Sequence, residues 1–227
     1  MLGEQVRTVV VERRYRGPLR SGNGGYVSGL LARELGGVVE VTLRQPPALE
    51  RELGLFRTAT GLELRDGETL VAEVRAGELE IEAPAAPAYE EAVAAPVVSA
   101  WWNSEAYGEC FSCGTRPGGD GLEIHPRPFG DVVAAPWVAA DVSPEVVWAA
   151  IDCSGAYAVG GPGRGEPLLA RMTARIDRLP ARDERCVVIG WSLGEDGRKL
   201  HAGTALYGGR GDLLALSRQL WIVPAAA

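Results

Sequence analysis

One order of elements occurs twice along this chain, and that duplication narrows the fold more than any other feature. A strand, a helix, a long strand and a three-stranded meander precede an Ala-, Pro- and Glu-rich stretch, and the same series follows it. Local wording repeats as well: ELRDGETLVAEVR at 63–75 is echoed by LYGGRGDLLALSR at 206–218. Self-similarity at a spacing of about 100 residues marks two copies of one supersecondary unit. A chain of 227 residues has room for both. The antiparallel order predicts an α+β fold with a helix laid across each curved sheet. The boundaries fall at 1–82 and 131–227, with a linker and an irregular, CxxC-containing segment over 83–130.

The first repeat is organised around Ser21–Leu35, SGNGGYVSGLLAREL. Gly22, Gly24 and Gly25 crowd around Asn23; Tyr26, Leu30 and Leu31 then fall at helical spacing, with Gly29 and Ala32 as small neighbours. This predicts a glycine-rich turn feeding a helix that lies close to another backbone. Such a helix start leaves N–H groups and the positive end of the dipole free to hold an anion or polarise a carbonyl oxygen. Tight packing into a sheet explains the same residues, and Asn23 suits an N-cap. Strands are expected over Glu4–Tyr15, Val38–Gln45, Leu53–Ala59, Leu62–Arg65 and Thr69–Arg75, with Asp66-Gly67 as a hairpin turn.

Ala83–Ala100 reads as a linker with a short helix at Tyr89–Ala94, and Trp101–Pro128 as irregular and dense in turn residues. In the second repeat, Asp131–Ala139 is a strand, and Ser143-Pro144-Glu145 opens a helix with Ser as N-cap and Pro at its first position. That helix runs through VVWAAIDCSGAYAV. Strands follow at Leu168–Arg178, Cys186–Leu193, Lys199–Tyr207 and Asp212–Val223, with turns at Asp196-Gly197 and Gly208–Gly211.

A net charge of −7 and a pI near 5.0 argue against nucleic acid or a membrane surface as partner. No apolar run is a convincing membrane span, and the first residues lack a secretory pattern. Four Cys are too sparse for a secreted disulfide scaffold, which predicts a cytoplasmic protein with free thiols.

The buried helix entered through GNGGY and followed by a meander resembles the hotdog fold. CFSCGTRPGGDGLEI at 110–124 is similar to the CFxCG…GL motif found ahead of the strand in many hotdog thioesterase-like proteins. The tandem arrangement resembles double-hotdog proteins of the acyl-CoA thioesterase II type and related actinobacterial thioesterase-like proteins. The likeness of element order covers nearly the whole chain; the sharp motifs cover Gly22–Tyr26, Cys110–Leu122 and the second helix. The resemblance implies a double hotdog, each repeat a central helix wrapped by a curved antiparallel sheet. It further implies hydrolysis of an acyl thioester, with a coenzyme A ester as the small-molecule partner and no cofactor. Pairing of the two repeats can satisfy their edges internally, so homodimerisation is compatible but not required.

Chemistry points to the second helix. Between Val146 and Gly163, Asp152 is the one ordinarily charged side chain, and a carboxylate in so apolar a helix must be paired, hydrogen-bonded or shifted in pKa. A general base meets that description, and so does a buried structural Asp. Hotdog thioesterases place an Asp or Glu in this helix. The resemblance therefore implies that Asp152 activates a water or attacks directly, while backbone N–H groups near Gly24, Gly25 and Tyr26 stabilise the oxyanion. It also implies that Thr173 and Gln219 orient the water, and that Asn23 either binds substrate or caps its helix. Each of the two strand residues reads equally as an ordinary polar group on a solvent face.

Other constellations are weaker. Cys110 and Cys113 have ligand spacing with His125 beyond them, but Cys153 and Cys186 are isolated in sequence. A structural zinc site usually takes two such pairs, so the segment is expected to be a turn near the pocket mouth, with no metal. Two His, His125 and His201, and no GxSxG argue against a Ser-His-Asp set, and the lack of a His at a helical position near Asp152 counts against a hydratase, with an approach of His201 from the sheet left open. Arg13, Arg14, Arg16 and Arg20 suit coenzyme A phosphates or a solvated strand edge. Two rivals to hydrolysis stay open: a binder of acyl ligands without catalysis, and an oligomerising module with a filled groove.

Overall fold

A computed structural model describes residues 3–97, 107–160 and 166–224. The expected linker end and irregular segment at 98–106 lie outside the described residues. The first repeat contains β1 (Gln5–Val10), α1 (Gly24–Ala32), β2 (Val39–Leu43), β3 (Glu52–Arg57), β4 (Leu62–Asp66) and β5 (Thr69–Ala76). After α2 (Tyr89–Ala94), the second contains β6 (Arg127–Phe129), β7 (Val132–Val138), α3 (Pro144–Ala150), α4 (Cys153–Val159) and β8 (Leu168–Ile176). β9 (Arg185–Asp196), β10 (Lys199–Tyr207) and β11 (Leu213–Ile222) complete it.

Hydrogen-bond pairing gives both repeats the same strand permutation. The first runs β1-β3-β4-β5-β2 and the second β7-β9-β10-β11-β8, with β6 added as a hairpin partner of β7. Equivalent strands then meet edge to edge: β2 pairs antiparallel with β8, Val39 opposite Ala174 and Val41 opposite Met172. Among the described residues one sheet of eleven strands results, and two edges that would template other chains are used within this one. This is the α+β architecture of two like units that the duplication predicts, and the tandem hotdog that the resemblance implies.

Local chemistry sets the element ends. The Asn23 side chain accepts from the Tyr26 N–H at 2.8 Å, and the Ser143 hydroxyl accepts from the Val146 N–H at 3.3 Å with Pro144 at the first helical position. Gly67 and Gly197 both adopt φ of 58°, which the two hairpin turns require. β1 stops at Val10, short of the expected Tyr15. Arg13–Tyr15 instead form a 3₁₀ turn that lays the Tyr15 ring flat on Tyr26, with centroids 3.7 Å apart, and edge-on to Phe111.

The 79–94 stretch is more than a tether. Leu79, Ile81, Ala83, Ala86 and Tyr89 pack with Ala92 against Val187, Ile189, Trp191, Ala205 and Leu216, covering the sheet face opposite the helices. Tyr207 fastens it by donating its hydroxyl to the Pro84 carbonyl at 2.6 Å. No helix among the described residues is long and apolar enough to cross a membrane.

On the other face, α1 and α3 lie against each other within one core that includes Val27, Leu31, Val41, Trp148, Ile151 and Met172. Gly25 and Gly29, one turn apart, make the close approach. A Cβ at Gly29 would lie 2.7 Å from the Glu145 Cα and 2.9 Å from the Trp148 Cβ. The first of these is backbone and cannot rotate away, so α3 would have to move. Gly29→Ala is therefore expected to destabilise the protein by about 1–3 kcal/mol, the usual cost of overpacking. Urea unfolding monitored by circular dichroism checks this, and an unchanged midpoint would refute it.

Candidate functional site

The second helix does not run through. It stops at Ala150 and restarts at Cys153, and the break is made by the Ile151 carbonyl. In an unbroken helix that oxygen would accept from Gly155. Here it accepts from the Thr204 hydroxyl at 2.7 Å and the Gln219 amide at 2.8 Å, while the Gly155 N–H turns to the Asp152 carbonyl at 3.1 Å. Two sheet side chains thus outcompete one rung of the helix ladder. Asp152 sits at the break, 2% exposed.

The break presents the carboxylate to the start of α1. Asp152 Oδ2 accepts from the Gly25 N–H at 3.0 Å and the Asn23 Nδ2 at 3.1 Å. No side chain could replace Gly25, because a Cβ there would lie 2.6 Å from both the Asp152 Cβ and the Trp148 carbonyl oxygen. Asp152 Oδ1 is buried with no hydrogen-bond partner among the described residues. Burial, reinforced by the nearby Cys110 sulfur, pushes the carboxyl up from the ordinary Asp range to about 7. The two hydrogen bonds pull the other way without winning.

Asp152 also lines a cavity of about 210 Å³ walled chiefly by apolar groups, among them Leu43, Pro47, Leu168, Leu169 and Trp221. Gly24 lines it too. The free donors at the α1 start are fewer than expected: Gly25 serves Asp152 and Tyr26 serves the Asn23 cap. The Gly24 N–H has no acceptor among the described residues. Asn23 does two tasks at once, its oxygen capping the helix and its nitrogen donating to Asp152 and to the Ser112 hydroxyl at 3.1 Å.

The remaining expected residues are placed elsewhere. Gln219 lies under the break with its amide fully used: Nε2 donates to the Ile151 carbonyl, and Oε1 accepts from the Trp221 indole at 2.8 Å. It therefore holds the break rather than lining the cavity. Thr173 is on the opposite face. Gln219 is registered opposite Met172, so the next residue must point away, and the Thr173 hydroxyl donates to Glu40 Oε2 at 3.2 Å. Of the arginines, Arg14 pairs with Asp141 and Arg16 with Glu109, while Arg20 is exposed between cavity residues Pro18 and Ser21.

Sequence reasoning missed Ser112, Thr204 and Ser217. Ser112 lies inside the CFSCG phrase and donates to the Ala149 carbonyl at 2.7 Å, tying that segment to α3. Thr204 and Ser217, 2.6 Å apart, complete the polar group beneath Ile151. Their signal was an inward hydroxyl on an otherwise apolar strand face, visible only once register is known. Cys110, Cys113 and Cys153 gather beside Asp152 and form the one potential metal-ligating group found among the described residues.

No family model matches the chain, and no curated protein matches it. Solved structures do match. A conserved protein of unknown function with a hot dog fold from Alicyclobacillus acidocaldarius superposes with TM-score 0.60 at 14% identity, covering 100% of this chain and 97% of that one. A thioesterase candidate from Novosphingobium aromaticivorans gives 0.63 at 15%, covering 96% and 95%. An acyl-CoA thioesterase II from Mycobacterium marinum gives 0.57 at 13%, covering 91% of each. This chain shares their fold, the double hotdog, over its length.

The polar group under the break carries a stability cost if cut. Gln219→Leu removes one of two donors to Ile151 and strands the Trp221 indole, and is expected to cost about 1–3 kcal/mol. Chemical denaturation measures it; a loss within error of zero would show that the break does not depend on Gln219.

Proposed function

We propose that this protein hydrolyses acyl thioesters, with Asp152 as general base. The observation that carries the reading is the split treatment of its carboxylate: Oδ2 is pinned by two donors, while Oδ1 is buried, unpartnered and on a residue lining an apolar cavity. A thioester carbonyl in that cavity brings its carbon within reach of a water held by Oδ1. The water oxygen bonds to the carbonyl carbon as its proton passes to Oδ1, and the oxyanion is stabilised by the Gly24 N–H at the positive end of α1. The C–S bond then breaks, and the thiolate leaves with the proton returned by Asp152. Gln219 is a positioning residue, acting through the Ile151 carbonyl, and Thr173 has no part.

Coenzyme A esters are the substrate class we favour. Arg20, exposed and adjacent in sequence to the cavity residue Ser21, is the cation we assign to a phosphate. The fold relatives named as thioesterases are consistent with that choice. One observation favours the rival, an acyl-ligand binder without turnover: two of the three N–H groups expected to face the oxyanion are already bonded within the protein.

Asp152→Asn separates the two. The amide oxygen can still accept from Gly25, so the fold survives, but the base is gone. Hydrolysis across a series of acyl-CoA chain lengths is expected to fall by about 10²–10⁴-fold in the variant. Equal turnover in both proteins would refute Asp152 as base. Acyl-CoA bound by both proteins and hydrolysed by neither would establish the binder.

A further inference from the structure

The three cysteines beside the site form a built cluster, and it stands independently of the hydrolysis reading. Cys110 and Cys113 come from the irregular segment and Cys153 from the first residue of α4, and their sulfurs all lie within 4.8 Å of one another. Cys110 and Cys153 are 3.7 Å apart. Tetrahedral zinc with Zn–S bonds of about 2.3 Å sets neighbouring sulfurs about 3.8 Å apart, so this edge already has the spacing the ion would impose. A disulfide would need the same sulfurs at about 2.05 Å.

Asn23 Nδ2 points at the buried Cys110 sulfur from 3.6 Å. A polar N–H beside a buried sulfur favours negative charge there. The turn that carries Cys110 and Cys113 needs a glycine at 114, since a Cβ there would lie 2.6 Å from the Cys110 nitrogen. No Lys or Arg hydrogen-bonds to any of the three sulfurs among the described residues, and the ionisable groups beside them, Asp152, Tyr107 and Tyr157, are all acids. A cluster of three buried, unoxidised sulfurs with no cationic side chain bonded to it calls for a cation from outside.

We propose that Cys110, Cys113 and Cys153 bind a thiophilic divalent cation, zinc by the spacing of their sulfurs, and that the ion staples the irregular segment to the start of α4. The Asp152 oxygens fall outside the mutual radius of the three sulfurs, so the fourth position belongs to water or another small ligand. Cys153 and Tyr107 line the cavity, which gives that ligand a route. The staple would fix Ser112 and Asn23, and through them the place of the carboxylate, without touching substrate.

The test uses the full chain, reduced and stripped with a chelator, titrated with cobalt and then with zinc. One equivalent of cobalt per chain, with thiolate-to-cobalt charge-transfer absorption that zinc abolishes, is the expected result. Cys110→Ser, Cys113→Ser and Cys153→Ser are each expected to weaken uptake more than about tenfold. Cys186→Ser, which alters a buried thiol elsewhere in the core, should bind as the wild type does. Because a Ser variant can fail to fold, the thermal midpoint of the wild type is compared with zinc and with chelator, and zinc should raise it. No uptake by the folded wild type, equal uptake by the three variants, or a midpoint indifferent to zinc would each overturn the proposal.

Discussion

The carbonyl of Ile151 faces two competing sets of donors, the next turn of its own helix and the side chains of the sheet beneath it, and the sheet prevails. Thr204 and Gln219 together offer a hydroxyl and an amide at 2.7 and 2.8 Å, against one N–H from the helix. Giving up a single ladder bond costs little when the donor finds another acceptor, as Gly155 does in the Asp152 carbonyl. The consequence is geometric. A helix unbroken from Pro144 to Val159 would aim position 152 by its own periodicity; the break turns it toward α1.

Burying a carboxylate this completely is expensive unless donors meet it. The start of α1 supplies them at small cost, because the first N–H groups of a helix have no partner in any case. Gly25 makes the contact direct. With any larger residue, Asp152 and the Trp148 carbonyl would be held off and the N–H would lose its acceptor. Satisfaction is left incomplete at Oδ1, and an unpaired buried oxygen is the feature that a purely structural carboxylate would be expected to lack.

What was legible in the sequence was local. Asn23, Ser143-Pro144, Asp66-Gly67 and Asp196-Gly197 each act on their own few residues, and they mark the elements as they occur. Asp152 stood out because nothing else near it is ordinarily charged. The break did not, since its donors come from 53 and 68 residues further along the chain. The facing of Thr173 is hidden for a related reason: alternation says that it and Met172 face opposite ways, but only the pairing of Met172 with Gln219 says which of them shares a face with Gln219. Cys153 looked isolated because its partner Cys110 is 43 residues away.

Duplication followed by divergence accounts for there being one such site. Asp152 follows the N-cap Ser143 by the same interval at which Ala32 follows the N-cap Asn23, so the first repeat carries no carboxylate at the matching place. Its surroundings have diverged too. Arg33, next to Ala32, donates to Glu145 Oε1 at 2.9 Å, and Glu145 occupies in α3 the position that Gly25 occupies in α1. Where one end of the helix pair brings a bare backbone against an acid, the other brings a charged side chain against its counter-ion. That ion pair leaves Glu145 with no buried oxygen lacking a partner among the described residues. The same interface is therefore chemically open at the Asp152 end and closed at the Arg33 end.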